Sequence, residues 1–155
     1  MNGIEKSNRR VEMSAVLSDA VYKYEFDYTA GEDNPIKSTK IFLKDAGIDE
    51  DSYDIVDSMY DPDSGVAAIA VYDKVTKETY ISYAGTNMDA DGHKDPIVDL
   101  AIALNDTLYL KEKNKPALDF YDRVEASGHY ISTTTGHSYG EFQAGRTAME
   151  RQVPS

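Results

Sequence analysis

The sequence predicts an α/β fold in one domain over residues 1–155. Three observations carry this reading. Runs rich in β-branched and aromatic residues recur at 53–60, 66–72, 78–84 and 129–135, and apolar stripes of helical period precede and separate them. A strand, a long helical crossover and a further strand imply parallel pairing with a right-handed connection. At 155 residues the chain can bury one sizeable core.

Each element has its own signature. Met13, Val16, Leu17, Ala20, Val21 and Tyr24 recur at helical spacing and predict an amphipathic helix over 11–24. Gly31-Glu32-Asp33-Asn34-Pro35 breaks that pattern, after which Ser38 or Thr39 is placed to cap a short helix through Leu43 that ends at Gly47. Tyr53 to Tyr60 reads as a strand, and Asp61-Pro62-Asp63-Ser64-Gly65 as a turn. Val66 to Tyr72 is nearly continuously apolar, as a strand buried on both faces must be. Asp73-Lys74-Val75-Thr76-Lys77 then makes a hairpin into a strand from Glu78 to Ala84. Ile97, Leu100, Ala101, Leu104 and Leu108 form a helical stripe. Pro116 opens another helix with Leu118, Phe120, Tyr121 and Val124 inward. Gly128 announces the strand His129 to Thr135. Beyond it, Gly140, Ala144 and Ala148 share a helix face narrow enough for close packing on a sheet.

Between that strand and that helix stands Gly136-His137-Ser138-Tyr139-Gly140. A G-x-S-x-G segment lets a strand turn so sharply into a helix that the serine hydroxyl is pushed out above the sheet, and the flanking glycines remove side chains that would collide. The alternative is a glycine-rich turn with a structural serine. A second segment, Tyr83-Ala84-Gly85-Thr86-Asn87, closes the strand that starts at Glu78.

The order of strand, A-G-T, polar loop, Asp95-Pro96-Ile97-Val98-Asp99-Leu100, helix, and strand ending in G-H-S-Y-G resembles the class 3 lipase family of α/β-hydrolases, with a closer likeness to its bacterial lipase-like branch. The likeness covers about residues 11–155. It implies an α/β-hydrolase-like, mainly parallel sheet with flanking helices. It also implies Ser138 as an acyl-accepting nucleophile, with oxyanion donors from the Tyr139 N–H and from Thr86. Asp99 would hold the oxyanion loop and not act as triad acid, because in this fold the acid and histidine follow the serine.

Two departures stand against the family pattern. Glu141 occupies a position that is commonly glycine. Glu141 and Glu150 are the only carboxylates after Ser138, and no histidine follows it, so the triad is unfilled in this sequence. Val153-Pro154-Ser155 stand where the next strand would begin. The sequence therefore reads as truncated after the elbow helix: a fragment, a front half completed by a partner chain, or a reduced relative. The two function classes that remain are a serine acyl-ester hydrolase of lipase, phospholipase or esterase type, and a non-catalytic scaffold or interaction domain on the same half-fold.

The other candidate groups read more plainly. His137 is the variable residue of the turn and packs beneath it; His129 lies at the far end of its strand; His93 is a loop histidine. Tyr83 and Tyr139 either line an acyl pocket or pack in the core. Asn87-Met88-Asp89-Ala90-Asp91-Gly92 opens like a calcium loop, but Val98 stands where a bidentate glutamate is required, so a solvated acidic loop is preferred. No metal or cofactor is expected, and the partner is an ester or lipid substrate.

With 28 acidic against 16 basic residues the formal charge is −12, which argues against nucleic acid and anionic lipid surfaces. The cluster Lys6-Ser7-Asn8-Arg9-Arg10 is too short to overturn that. The chain has no cysteine, which removes disulfide and thiol chemistry. There is no apolar run of membrane-spanning length and no signal-peptide core, so a cytoplasmic protein, or one exported without a cleaved signal, is expected. An incomplete sheet would leave an edge open to self-association or a partner chain.

Overall fold

A computed structural model describes residues 1–84, 107–137 and 139–154, with side chains over 1–84, 114–136 and 144–154. Helix α1 spans Gly3–Thr29 and α2 Pro35–Asp45. Strands β1 (Tyr53–Asp61), β2 (Val66–Asp73) and β3 (Glu78–Ala84) follow, then α3 (Thr107–Ala126), β4 (Ile131–His137) and α4 (Tyr139–Arg151). The strands are ordered β1-β2-β3-β4.

The α/β class stands, but the pairing differs from a mainly parallel sheet. β1 with β2 and β2 with β3 are antiparallel, and β3 with β4 is parallel. Connection length explains it. Residues 62–65 and 74–77 are all that join the first three strands, and so short a link permits only a hairpin. Between β3 and β4 there is room for a crossover helix, and there the pairing becomes parallel.

Helices α1 and α2 cover one face of the sheet and α3 and α4 the other. Met13, Leu17, Ala20, Val21 and Tyr24 of α1 pack with Tyr53, Ala67, Ile69, Val71, Tyr80 and Ala84. On the opposite face Val66, Ala68, Ala70, Ile81 and Tyr83 meet Ala117, Phe120, Tyr121, Val124 and Ala144. β2 and β3 therefore contribute alternate residues to two cores, which is why β2 needs an apolar residue at nearly every position.

Three helix boundaries depart from the sequence reading, each for a local reason. α1 starts well before residue 11 because Asn2 and Glu5 form a reciprocal capping box, and its first turns are tied to the β2–β3 hairpin by ion pairs. Asn34-Pro35 opens α2 instead of breaking the chain: the Asn34 side chain accepts the Lys37 N–H at 3.0 Å, and Pro35 takes the first helical position. Pro116 lies inside α3 and does not open it. It forfeits one helical hydrogen bond, while Leu118, Phe120, Tyr121 and Val124 are buried as expected.

The ion pairs fix how α1 lies. Arg9 donates to Asp73 from Nε at 2.9 Å and from Nη2 at 3.1 Å. Asp73 also accepts from the Val75 N–H at 3.0 Å and the Thr76 hydroxyl at 3.1 Å. Arg10 forks onto Glu78, with Nε at 2.9 and 3.1 Å from its two oxygens, and holds that carboxyl below the usual glutamate range. The basic cluster near the N-terminus is thus spent on the fold.

β1 carries a bulge between Ile55 and Asp57. Ile55 pairs with Val71 of the α1-side core, and Asp57 with Ala70 of the other, so the extra residue turns the second half of the strand over. Asp57 consequently meets α3, where Arg123 donates to it at 2.8 and 3.0 Å.

Candidate active site

β3 and β4 bring the two sequence motifs to one edge. They are parallel neighbours, and Ala84 pairs with His137 at their last residues. Gly85-Thr86 continues from the first strand and Ser138 from the second, so both motifs leave adjacent carboxyl ends, about 4.8 Å apart in the sheet. In open α/β sheets this is the edge at which ligands bind.

The strand and the helix leave one residue between them. β4 ends at His137 and α4 begins at Tyr139. α4 then runs back across β4, where the Thr134 hydroxyl donates to the Ala144 carbonyl at 2.9 Å. Ala144 and Ala148 are buried as their spacing predicts. After α4 the chain returns to β4, and the Thr134 N–H donates to the Pro154 carbonyl at 2.9 Å. β4 therefore holds α4 at its middle and the chain just beyond its end.

Tyr139 is the first residue of α4. Its backbone N–H belongs to the first turn, whose four N–H groups have no intrahelical acceptor and lie at the positive end of the helix dipole. Ser138 and Thr86 lie outside the described residues, as do Asp99, His93 and the whole acidic segment 87–92. The side chains of His137, Tyr139 and Glu141 lie outside the described side chains. Of the candidate positions, the structure places the Tyr139 backbone and the strand ends on which the two motifs sit.

Two other candidates are settled by their surroundings. Tyr83 is fully buried and donates its hydroxyl to the Ala117 carbonyl at 2.9 Å, and burial pushes its pKa up. It is a core residue, not a pocket wall. His129 lies just before β4, at the opposite end from Ser138, with its ring 5.8 Å from that of Tyr72.

Among the described residues, no group of three histidine, aspartate or glutamate side chains is arranged to hold a metal ion, and no helix is long and apolar enough to cross a membrane. Among the described residues Glu25 and Asp27 are buried acids of α1, positions that an apolar pattern alone does not flag. No family model, curated protein or solved structure matches the chain.

Proposed function

We propose that this chain carries the nucleophile of a serine acyl-ester hydrolase of the class 3 lipase-like kind, acting on an ester or lipid substrate. The observation that carries the reading is the parallel β3–β4 pair ending in register at Ala84 and His137, with a single residue, Ser138, before α4 opens. A serine so placed has the strand–turn–helix context that a nucleophile elbow requires.

In this mechanism the Ser138 oxygen attacks the ester carbonyl carbon, and the carbonyl electron pair becomes an oxyanion. The Tyr139 N–H and the Thr86 N–H donate to that oxyanion, the former helped by the dipole of α4. Collapse of the tetrahedral adduct breaks the ester C–O bond, the departing alkoxide takes up the proton that the serine hydroxyl gave up and leaves as the alcohol, and water then cleaves the acyl-serine to the free acid and serine.

The test is covalent labelling with a fluorophosphonate. Wild-type protein should gain one phosphonyl group at Ser138, and Ser138→Ala should gain none. Where ester turnover is measurable, Ser138→Ala should lower it by several orders of magnitude. Unchanged turnover in that variant would remove Ser138 from the chemistry.

A further inference from the structure

The sheet ends in two edge strands, β1 and β4, and an edge strand is a template for pairing with another chain unless something blunts it. β1 is blunted twice, by the bulge between Ile55 and Asp57 and by the acids Asp54, Asp57 and Asp61. β4 has neither device from Thr133 onward. Thr133-Thr134-Thr135-Gly136 is uncharged and rich in β-branched residues, and it pairs regularly with Tyr80 to Tyr83. What meets its outer edge is the chain just after α4.

One residue reverses that chain. Gln152 takes φ +58°, and the Val153 N–H returns to the Ala148 carbonyl at 3.1 Å. This is the Schellman closure of a helix, usually made with glycine at the left-handed position. Val153 then packs against the core of Val66, Tyr83 and Ala144, and the Pro154 carbonyl accepts the Thr134 N–H at 2.9 Å. Pro154 has no N–H, so it fills a ladder position without offering a donor to a further strand. Beside it Ser132, Thr133 and Thr134 are at most 7 % exposed, although they belong to an edge strand. The hinge is strained, because a side chain at a left-handed φ crowds the following carbonyl.

We propose that Gln152-Val153-Pro154 is a strap that closes the β4 edge, with Gln152 as its hinge and the Pro154 carbonyl as its latch, and that the edge, once bared, pairs with β4 of a second copy. The edge itself specifies that occupant. Two identical uncharged strands pair antiparallel about a two-fold axis, each supplying the donors and acceptors the other needs. The charges of α4 beside the edge do not oppose this, because Arg146 is paired with Glu150 and Arg151 with Asp122. The strap is independent of the chemistry at Ser138.

Two measurements on the full chain test it. Gln152 is exposed, so changing it acts through the backbone and leaves the core untouched. Gln152→Gly removes the crowding, and Gln152→Val worsens it, since a β-branched residue tolerates positive φ least. Amide exchange followed by NMR should show the Thr134 N–H about 5-fold slower in Gln152→Gly and about 10-fold faster in Gln152→Val than in wild type, with the β2 amides unchanged. Equal Thr134 rates in all three, or the reverse order, overturn the strap. For the pairing, Gln152→Val/Val153→Asp drives the strap off the edge. In light scattering at millimolar concentration wild type should weigh 17.2 kDa and the double variant twice as much, with its Thr134 N–H protected again and its circular dichroism retained. A folded double variant that stays a single chain, or that doubles while Thr134 exchanges freely, overturns pairing through β4. Should the double variant not fold, Gln152→Val alone decides: its Thr134 exchange should slow as concentration rises, and a rate independent of concentration overturns the pairing.

Discussion

Replacing Arg9 by methionine should destabilise the protein by about 3 kcal/mol. The Asp73 side chain is fully buried, and that of Arg9 is 16 % exposed. Two of the four hydrogen bonds to the carboxylate come from Arg9, at 2.9 and 3.1 Å, and they carry the compensating charge. Breaking such a pair by removing one partner costs about 3–5 kcal/mol, because the surviving charge stays buried. The Val75 N–H and Thr76 hydroxyl remain on Asp73, which places the expectation at the lower end of that range. Methionine retains the apolar stem of the arginine, so lost packing adds little. In a chain of 155 residues, about 3 kcal/mol corresponds to a fall in Tm of about 6–12 °C.

The assay is urea unfolding followed by far-ultraviolet circular dichroism at pH 7, with calorimetry for Tm. Arg9→Met/Asp73→Asn supplies the control: removing both charges should recover about 2 kcal/mol of the loss, which a double-mutant cycle reads directly. A loss below about 1 kcal/mol in the single variant, or no recovery in the double, would refute the reasoning that the buried charge needs this partner.

Three further outcomes are expected. The Glu78 carboxyl lies below its ordinary pKa because Arg10 hydrogen-bonds its charged form; its contribution is therefore complete above the unfolded glutamate value and is lost as pH falls through the lower folded value. Urea midpoints of wild type and Glu78→Gln should accordingly converge on acidification below about pH 4.3, and a constant gap would contradict the assignment. Tyr80→Phe should be neutral or stabilising by up to about 1 kcal/mol, since the Tyr80 hydroxyl is buried without a hydrogen-bond partner among the described residues; a loss above 1 kcal/mol by urea unfolding would mean the hydroxyl is bonded. Lys77 sits at φ +58° in the β2–β3 hairpin, a conformation glycine adopts without penalty, so Lys77→Gly should raise stability by about 0.5–1 kcal/mol, and a fall in Tm would contradict that.

Much of the sheet was legible because its signals are local. The β3 limits Glu78 and Ala84 follow from a dense β-branched and aromatic run after a polar hairpin. Ala144 and Ala148 announced the buried side of α4 by spacing alone. Local ambiguity explains the misses: Asn34-Pro35 is as good a helix opening as a break, and Pro116 is tolerated within α3 by surroundings that no short window contains. The Arg9–Asp73 pair joins residues 64 positions apart, so the sequence showed only a small basic cluster. The candidate site divides in the same way. G-H-S-Y-G and A-G-T stood out as local motifs, whereas the register that sets Ala84 opposite His137 came only with the fold.

The bulge in β1 makes the fold answer to chain length as well as to residue type. Ile55 and Asp57 stand two apart, yet they serve opposite cores because one residue between them is unpaired. Excising Val56 would leave Ile55 and Asp57 consecutive on Val71 and Ala70, so the strand would pair regularly with Asp57 still facing Arg123 and Tyr60 still against Tyr28. Regular pairing with Val56 retained would instead exchange the two faces from Asp57 onward, turning its carboxylate toward α1 and taking Tyr60 from Tyr28. The bulge is therefore what lets a strand one residue too long for its partner keep both of its halves in their cores.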